Sequence, residues 1–289
     1  MAYDSIFRDG LFDGQVALIT GGGTGIGRCI AHELARLGAT VVIAGRRPEP
    51  LAETGAEIQA DGGLAFPLSL NIRDEVAVQA ALAAVVADHG RLDLLVNNAG
   101  GQFVAGAEEI SAKGWRAVID TNLNGTFWVS QAAFTAWMGE HGGSIVNIVA
   151  DMWNGFPGMC HTGAARAGVV NMTQTLAIEW ASKGIRVNAL APGIVLSSGM
   201  KNYPDIVLDF AVEMARQNPS GRLGTESEVS AATVFLLSPA AAYITGASLR
   251  VDGASSLTKA PMMPLEAHDR LPPFSGFHLQ ADLPDQLKG

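Results

Sequence analysis

Thr20 to Gly27 reads TGGGTGIG and lies between the apolar run Val16 to Ile19 and a helical pattern that begins near Ile26. Residues without side chains at such a turn let a pyrophosphate reach backbone N–H groups at the positive end of a helix. Gly21, Thr24, Gly25 and Ile26 are therefore candidate dinucleotide contacts. Three successive glycines also make a plain surface turn, but the context favours the cofactor. Ile26, Ile30, Leu34 and Leu37 recur at helical spacing, Gly38 stands where a C-terminal cap belongs, and Thr40 to Ala44 reads as a second strand. Arg46 and Arg47 follow that strand, where an NAD-binding unit offers a carboxylate to the adenosine ribose. Two arginines and no acid suit the 2′-phosphate of NADP(H), with a solvated charge pair as the plain alternative.

Further candidates sit at later strand ends. Asn71 and Ile72 close a third strand, Leu64 to Leu70, where an adenine could rest. Asn97-Asn98-Ala99-Gly100 follows a fourth strand, Leu92 to Val96, and ligands bind at the carboxyl ends of parallel strands. Turn chemistry alone also accounts for an Asn pair. Asn122 falls in the middle of a helical pattern from Ser111 to about Trp137, although its amide competes for backbone bonds and disfavours helix.

The remaining elements complete an alternation of strand and helix. Helices are expected over Pro48 to Ala60, Asp74 to Asp88, Gly163 to Trp180 and Thr225 to Leu237, the last opened by a Thr225-x-x-Glu228 capping box. Strands are expected over Ser144 to Val149, Arg186 to Leu190 (closing at Pro192-Gly193) and Ser248 to Val251. This order predicts an α/β fold: a single-domain Rossmann-like, doubly wound parallel sheet with helices on both faces. The domain spans residues 12–258, preceded by an arm (1–11) and followed by an aperiodic, Pro-rich extension (259–289). Small residues at Ala164, Ala165, Ala167 and Gly168 permit either tight packing on the sheet or a subunit contact.

The composition of the 289 residues narrows the function class. Hydrophobic residues make up 48%, enough for a sheet buried on both faces, and the apolar runs are too short to span a bilayer. A net charge of -9 with no basic patch argues against nucleic acid. Cys29 and Cys160 build no disulfide framework, the N-terminus carries no secretory pattern, and a cytoplasmic location is expected. The six histidines are scattered without metal-ligand spacing, so no metal is expected. No serine hydrolase elbow is present.

TGGGTGIG, the NNAG of Asn97 to Gly100, Asn122 and Pro192-Gly193 together resemble the short-chain dehydrogenase/reductase family over roughly residues 12–256. The resemblance implies a Rossmann-like subunit, usually a homotetramer, that binds NAD(P)(H) and moves a hydride. It places Gly21, Ile26, Arg46, Asn71, Asn98 and Ser197 at cofactor contacts, with Ala99, Gly100, Pro192 and Gly193 beside them. That family uses a Tyr, a Lys four residues later and a Ser about thirteen residues before the Tyr. Here Thr162 holds the Tyr position, Arg166 the Lys position, and Val149 or Ala150 the Ser position. A carbonyl reduction would lack its acid.

NNAGGQF, SAKGW, EHGGSIVNIV and HTGAARAGV are similar to one branch, the peroxisomal trans-2-enoyl-CoA reductases, which also carry a His and a small hydroxyl residue there. That branch implies NADPH-dependent reduction of the 2,3 double bond of an acyl-CoA, in which donors stabilise an enolate and no strong acid is needed. On this reading Thr162 and His161 donate to the thioester oxygen, Arg166 grips the nicotinamide ribose and Asn122 anchors a water. The plain alternatives are a packing histidine, a helix-capping threonine and an asparagine that braces its helix. Asp151 after the fifth strand is either a further acid or a solvated loop carboxylate. Two other functions compete: a carbonyl or alcohol dehydrogenase with an atypical site, and a catalytically silent nucleotide-binding scaffold. The chain ends without a peroxisomal Ser-Lys-Leu-type signal.

Overall fold

The computed structural model describes residues 3–198, 200, 205–258, 268–279 and 283–287. Apolar runs form the expected strands, buried except at the edge strand β3: β1 (Val16–Thr20), β2 (Thr40–Gly45), β3 (Leu64–Ser69), β4 (Leu94–Asn97), β5 (Gly143–Ile148) and β6 (Ile185–Pro192). Two-residue strands β7 (Val195–Leu196) and β8 (Gly224–Thr225) pair outside the main sheet, and β9 (Ser248–Val251) completes it. The seven main strands are parallel in the order β3-β2-β1-β4-β5-β6-β9. This is the doubly wound Rossmann-like sheet that the alternation predicts. The order reverses between β1 and β4, whose last residues Thr20 and Asn97 are register partners. The glycine turn and the NNAG loop therefore leave the sheet side by side, at the crevice where such sheets bind ligands.

Alternating side chains feed two cores. Ile19, Val41 and Ile43 meet Ile30 and Leu34 of α1 (Gly25–Arg36) and Ile58 of α2 (Pro48–Ala60). Leu18, Val42 and Leu95 meet Val78, Leu82 and Val85 of α3 (Glu75–His89). The long helical pattern is realised as α4 (Ala112–Ile119), α5 (Gly125–Ala133) and α6 (Gly139–His141), joined by π-turns at Asp120–Asn124 and Phe134–Met138. Asn122 sits in the first of these turns, which resolves the conflict between its amide and a regular helix.

α7 runs Cys160–Glu179, α8 Asp205–Gln217 and α9 Glu226–Leu237. The sequence pattern did not announce α8, and it started α7 three residues late. The Thr225–Glu228 capping box is present in full: the Thr225 hydroxyl accepts from the Glu228 N–H at 3.3 Å, and the Glu228 carboxylate accepts from the Thr225 N–H at 2.9 Å. Within α7, Ala165 is buried and Gly168 receives Leu123, whereas Ala164 and Ala167 face outward. Ala165 and Gly168 thus serve the packing reading.

The arm and the extension are engaged with the domain. Tyr3 is buried with Cys29 and Phe277, and the Asp4 N–H donates to the Gly276 carbonyl at 2.8 Å. Residues 268–279 form no helix or strand, but they cross the start of α9: Arg222 Nε donates to the Leu271 carbonyl, Thr225 Oγ1 to the Phe274 carbonyl, and the Phe277 N–H to Ser227 Oγ. The start of the extension, 259–267, lies outside the described residues. Among the described residues no helix is long and apolar enough to cross a membrane.

Candidate active site

The glycine turn has the form a pyrophosphate cradle requires. Gly21 and Gly25 adopt φ of +68° and +57°, the left-handed region that disfavours side chains. A Cβ on Gly21 would sit 2.9 Å from Asn98 Nδ2 and 3.0 Å from Ala99 Cα. Asn98 uses that proximity to lock the turn, its amide donating to the carbonyls of Thr20 and Gly21 at 3.1 and 3.2 Å. Thr20 Oγ1 returns the favour by accepting from the N–H groups of Asn98 and Ala99, both at 3.0 Å. Asn98 and Ala99 thus shape the cradle. Thr24 begins α1 in extended conformation without a side-chain cap, and its hydroxyl is exposed. Ser197 reaches the same turn, its Cβ and Oγ each 3.9 Å from the position of a Cβ on Gly25. Gly193 packs against Asp252, its N–H donating to the Val251 carbonyl at 3.0 Å, so Pro192-Gly193 turns the chain out of β6 toward Ser197.

Arg46 and Arg47 stand exposed past β2, with no hydrogen bond or ion pair to any described residue. Asn71 is exposed and accepts from Arg73. Ile72 behaves differently from the adenine-shelf expectation: its side chain is buried in the core against Gly125. The turn, the exposed arginines and Ser197 together fit a phosphorylated dinucleotide.

Glu226, the first residue of α9, places Oε1 3.8 Å from the position of a Cβ on Gly25. Burial pushes its carboxyl up to about 7, opposed by Arg28 and by a hydrogen bond from the Ser198 backbone. Between about pH 4.5 and 7 the folded chain then holds a proton that the unfolded chain has released. Stability falls as pH rises through this window, by up to about 3 kcal/mol. Glu226→Gln is expected to match the parent at pH 4.5 and to be more stable by about 2–3 kcal/mol at pH 8, as read by urea unfolding at both values. Equal stability at both would remove the assignment.

The second half of the site lies past β4 and β5. Asn97 Nδ2 donates to Ser130 Oγ at 2.9 Å and to Asn147 Oδ1 at 2.8 Å, and Asn147 Nδ2 donates to Thr173 Oγ1 at 2.9 Å. This buried polar chain ties β4 and β5 to α5 and α7. Asn97 alone of its members was visible from its motif. Asn122 grips Gly101 from both sides, Oδ1 accepting from its N–H at 3.2 Å and Nδ2 donating to its carbonyl at 2.7 Å. Its second amide hydrogen goes to the Val118 carbonyl, and its own carbonyl accepts from Thr126 Oγ1. Asn122 therefore braces the NNAG loop, and its amide hydrogens are spent.

Arg166 is buried and donates through Nη1 to the Ile148 carbonyl at the end of β5, at 2.8 Å. A Cβ on Gly100 would lie 2.5 Å from Arg166 Nη2 and 2.7 Å from Asn122 Oδ1, so only glycine admits the guanidinium here. One helical turn earlier, Thr162 and His161 are buried on the inner face of α7. Thr162 is not a cap, because Met159 precedes the helix. The Thr162 N–H donates to His161 Nδ1 at 2.8 Å, with the Thr162 hydroxyl 3.3 Å from the same nitrogen. A ring nitrogen that accepts an N–H carries no proton, so the hydrogen of the neutral imidazole sits on Nε2. That Nε2–H is buried and has no partner among the described residues. Phe103 shields the ring edge-on at 4.4 Å. An unpaired buried donor costs about 1–3 kcal/mol, which calls for a ligand acceptor.

The tyrosines described lie elsewhere. Tyr3 is buried, and desolvation followed by the nearby Cys29 pushes its phenol far up, while Tyr243 is fully exposed. Tyr203 is outside the described residues. The Asp151 carboxyl is raised by burial first and by Asp252 second, and its Oδ1 is buried without a hydrogen-bond partner. Beside the α7 start a cleft of about 380 Å³ is lined by Ala107, Ile110, Ala112, Trp115, Arg116 and Cys160.

Comparison with known proteins agrees with this geometry. The short chain dehydrogenase family matches residues 15–205. A probable 2,4-dienoyl-CoA reductase, (2E)-enoyl-CoA-producing, of Bacillus subtilis is 41% identical over 253 residues, 86% of this chain and 98% of the relative. A citronellol catabolism dehydrogenase of Pseudomonas aeruginosa PAO1 is 50% identical in a structural match of TM-score 0.80, covering 88% of this chain and all of that one. An actinorhodin polyketide ketoreductase solved with NADPH is 33% identical, with a TM-score of 0.80 over 86% of this chain and 99% of the other.

Proposed function

The chain belongs to the short-chain dehydrogenase family, whose members are oxidoreductases with a nicotinamide cofactor, and from that premise we propose that it is an NADPH-dependent reductase of enoyl-CoA thioesters. The observation that carries the reading is a buried, unpartnered N–H on His161 where the family's proton-donating phenol is missing. A reduced nicotinamide held by the glycine turn and Arg166 would supply a hydride for the conjugated carbon farthest from the thioester. Negative charge then collects on the thioester oxygen, and a fixed donor in a dry pocket stabilises it without giving up its proton. His161 Nε2–H is that donor, and Thr162 holds the ring in the required tautomer through Nδ1. Arg166, too basic to be an acid, acts by charge and position at the cofactor ribose. A proton added at Cα completes the reduction, with Asp151 the candidate source. In a 2,4-dienoyl thioester the negative charge spreads over an extended dienolate, and the proton must then enter at Cγ rather than Cα to leave the (2E)-enoyl product that the name of the Bacillus subtilis relative gives. The outward face of α7 at Ala164 and Ala167 is where a second copy would pack in a homotetramer.

A second reading has support of its own in the 50% identity to the citronellol catabolism dehydrogenase, which would make the substrate an alcohol or carbonyl compound. The absence of a phenol at Thr162 weighs against it. Purified protein with NADPH is expected to reduce crotonyl-CoA and 2,4-hexadienoyl-CoA, followed by loss of nicotinamide absorbance. Turnover of citronellol with NADP+ and of neither thioester would favour the second reading, and cofactor binding without any turnover would leave only a scaffold.

A further inference from the structure

We infer that His32, Asp61 and His278 form a binding site for a divalent transition ion of the zinc class, which clasps the C-terminal extension onto α1 and α2. The three residues come from separate parts of the fold. His32 lies on α1, Asp61 ends α2, and His278 belongs to the segment that crosses the start of α9. One donor atom from each lies within 4.8 Å of the others, and His278 Nε2 is 2.9 Å from Asp61 Oδ2. Two imidazoles and a carboxylate with an open fourth position form a donor set suited to zinc.

The ring geometry agrees with a shared ion. The His32 and His278 ring centroids are 5.6 Å apart at an interplanar angle of 68°. Two imidazoles on one tetrahedral zinc, with bonds of about 2.0–2.1 Å, hold their centroids ~5 Å apart. His278 Nδ1 is buried with no hydrogen-bond partner among the described residues, so the ring keeps a nitrogen that the protein does not use. A cleft of about 120 Å³ opens against His32 and Asp61, giving an ion and a water room and a path.

The surrounding charge also favours a cation. Arg28 is neutralised by Glu57, which it meets at 2.6 and 2.8 Å, and Arg36 by Asp9 at 3.0 Å. Asp61 is left as the net charge of the cluster, and Glu57 Oε2 stands 3.2 Å from His32 Nε2 as an alternative carboxylate ligand. An ion takes the place of the His278–Asp61 contact, Asp61 standing at an exposed helix end. Sequence spacing could not reveal this cluster, because its histidines stand at opposite ends of the chain.

The test uses the untagged full chain, stripped with chelator and without cofactor. Titration with zinc chloride in a calorimeter is expected to give one ion per chain and a raised midpoint of thermal unfolding, as for any ligand of the folded state. Cobalt(II) is expected to develop visible absorption bands of a four-coordinate site. His278→Ala and Asp61→Asn should each weaken zinc at least tenfold and abolish the thermal shift, while the distant control His89→Ala retains both. Retained folding of each variant is checked by circular dichroism, and Asp61→Asn serves if His278→Ala unfolds. Absence of saturable zinc binding, or binding that survives both substitutions, overturns the proposal and leaves two histidine–carboxylate hydrogen bonds only.

Discussion

His161→Ala is expected to lower kcat for enoyl thioester reduction by about 10²- to 10³-fold, the usual effect of removing one fixed donor from a developing oxyanion. NADPH affinity, read by quenching of nicotinamide fluorescence, should stay within about twofold. The expectation follows from the tautomer: with Nδ1 held by the Thr162 N–H, the ring can only donate through Nε2. His161→Gln, which can still present an amide N–H, should recover part of the loss. Thr162→Val tests the positioning role, because it removes the hydroxyl while keeping the backbone N–H that sets the tautomer. It should cost less than His161→Ala. If His161→Ala turns over within a few-fold of the parent, the imidazole is packing against Phe103 and the donor lies elsewhere.

Replacing Arg46 and Arg47 together by alanine is expected to weaken NADPH about 10- to 100-fold and to leave NADH unchanged. Charge-assisted hydrogen bonds to a phosphate contribute roughly 1.5–3 kcal/mol, and neither arginine has another partner among the described residues to hold it back. The measurement is the ratio of Kd values for the two coenzymes in parent and variant. Equal losses for both coenzymes would mean that the pair acts as general positive charge, and no loss would mean a solvated pair. Because both side chains are exposed at a strand end, stability should change little.

The parts of this molecule that were legible in the sequence are those in which local pattern and function coincide. Gly21 and Gly25 announce themselves because their left-handed backbone angles favour glycine, and the Asn97–Gly100 loop because it must sit beside them at the crossing of the sheet. Arg166 was visible by its place in a motif, but Gly100 reveals its reason, a guanidinium lying where a Cβ would be. What escaped was decided by tertiary contact. Asn147, Ser130 and Thr173 look like ordinary strand and helix residues until Asn97 joins them in one buried polar chain. Ile72 has the right address for an adenine contact, yet the sheet's lower core claims its side chain. Asn122 was expected to anchor a water, and the π-turn that sets its amide onto Gly101 could not be read from its spacing. The extension is rich in proline and without periodicity, so its docking depends on single groups, the Phe274 carbonyl and Phe277 N–H bonding at the start of α9 and the Phe277 ring packing against Cys29 of α1.

The bond between Asp4 and Gly276 has a consequence for biosynthesis. Tyr3 and the outer side of α1 are made long before Phe277, which covers them. Throughout translation the nascent chain carries an uncovered aromatic and Cys29, a thiol that is shut away in the finished protein. A chaperone that held this segment until Phe277 arrived would therefore shield Cys29 while the protein is being made.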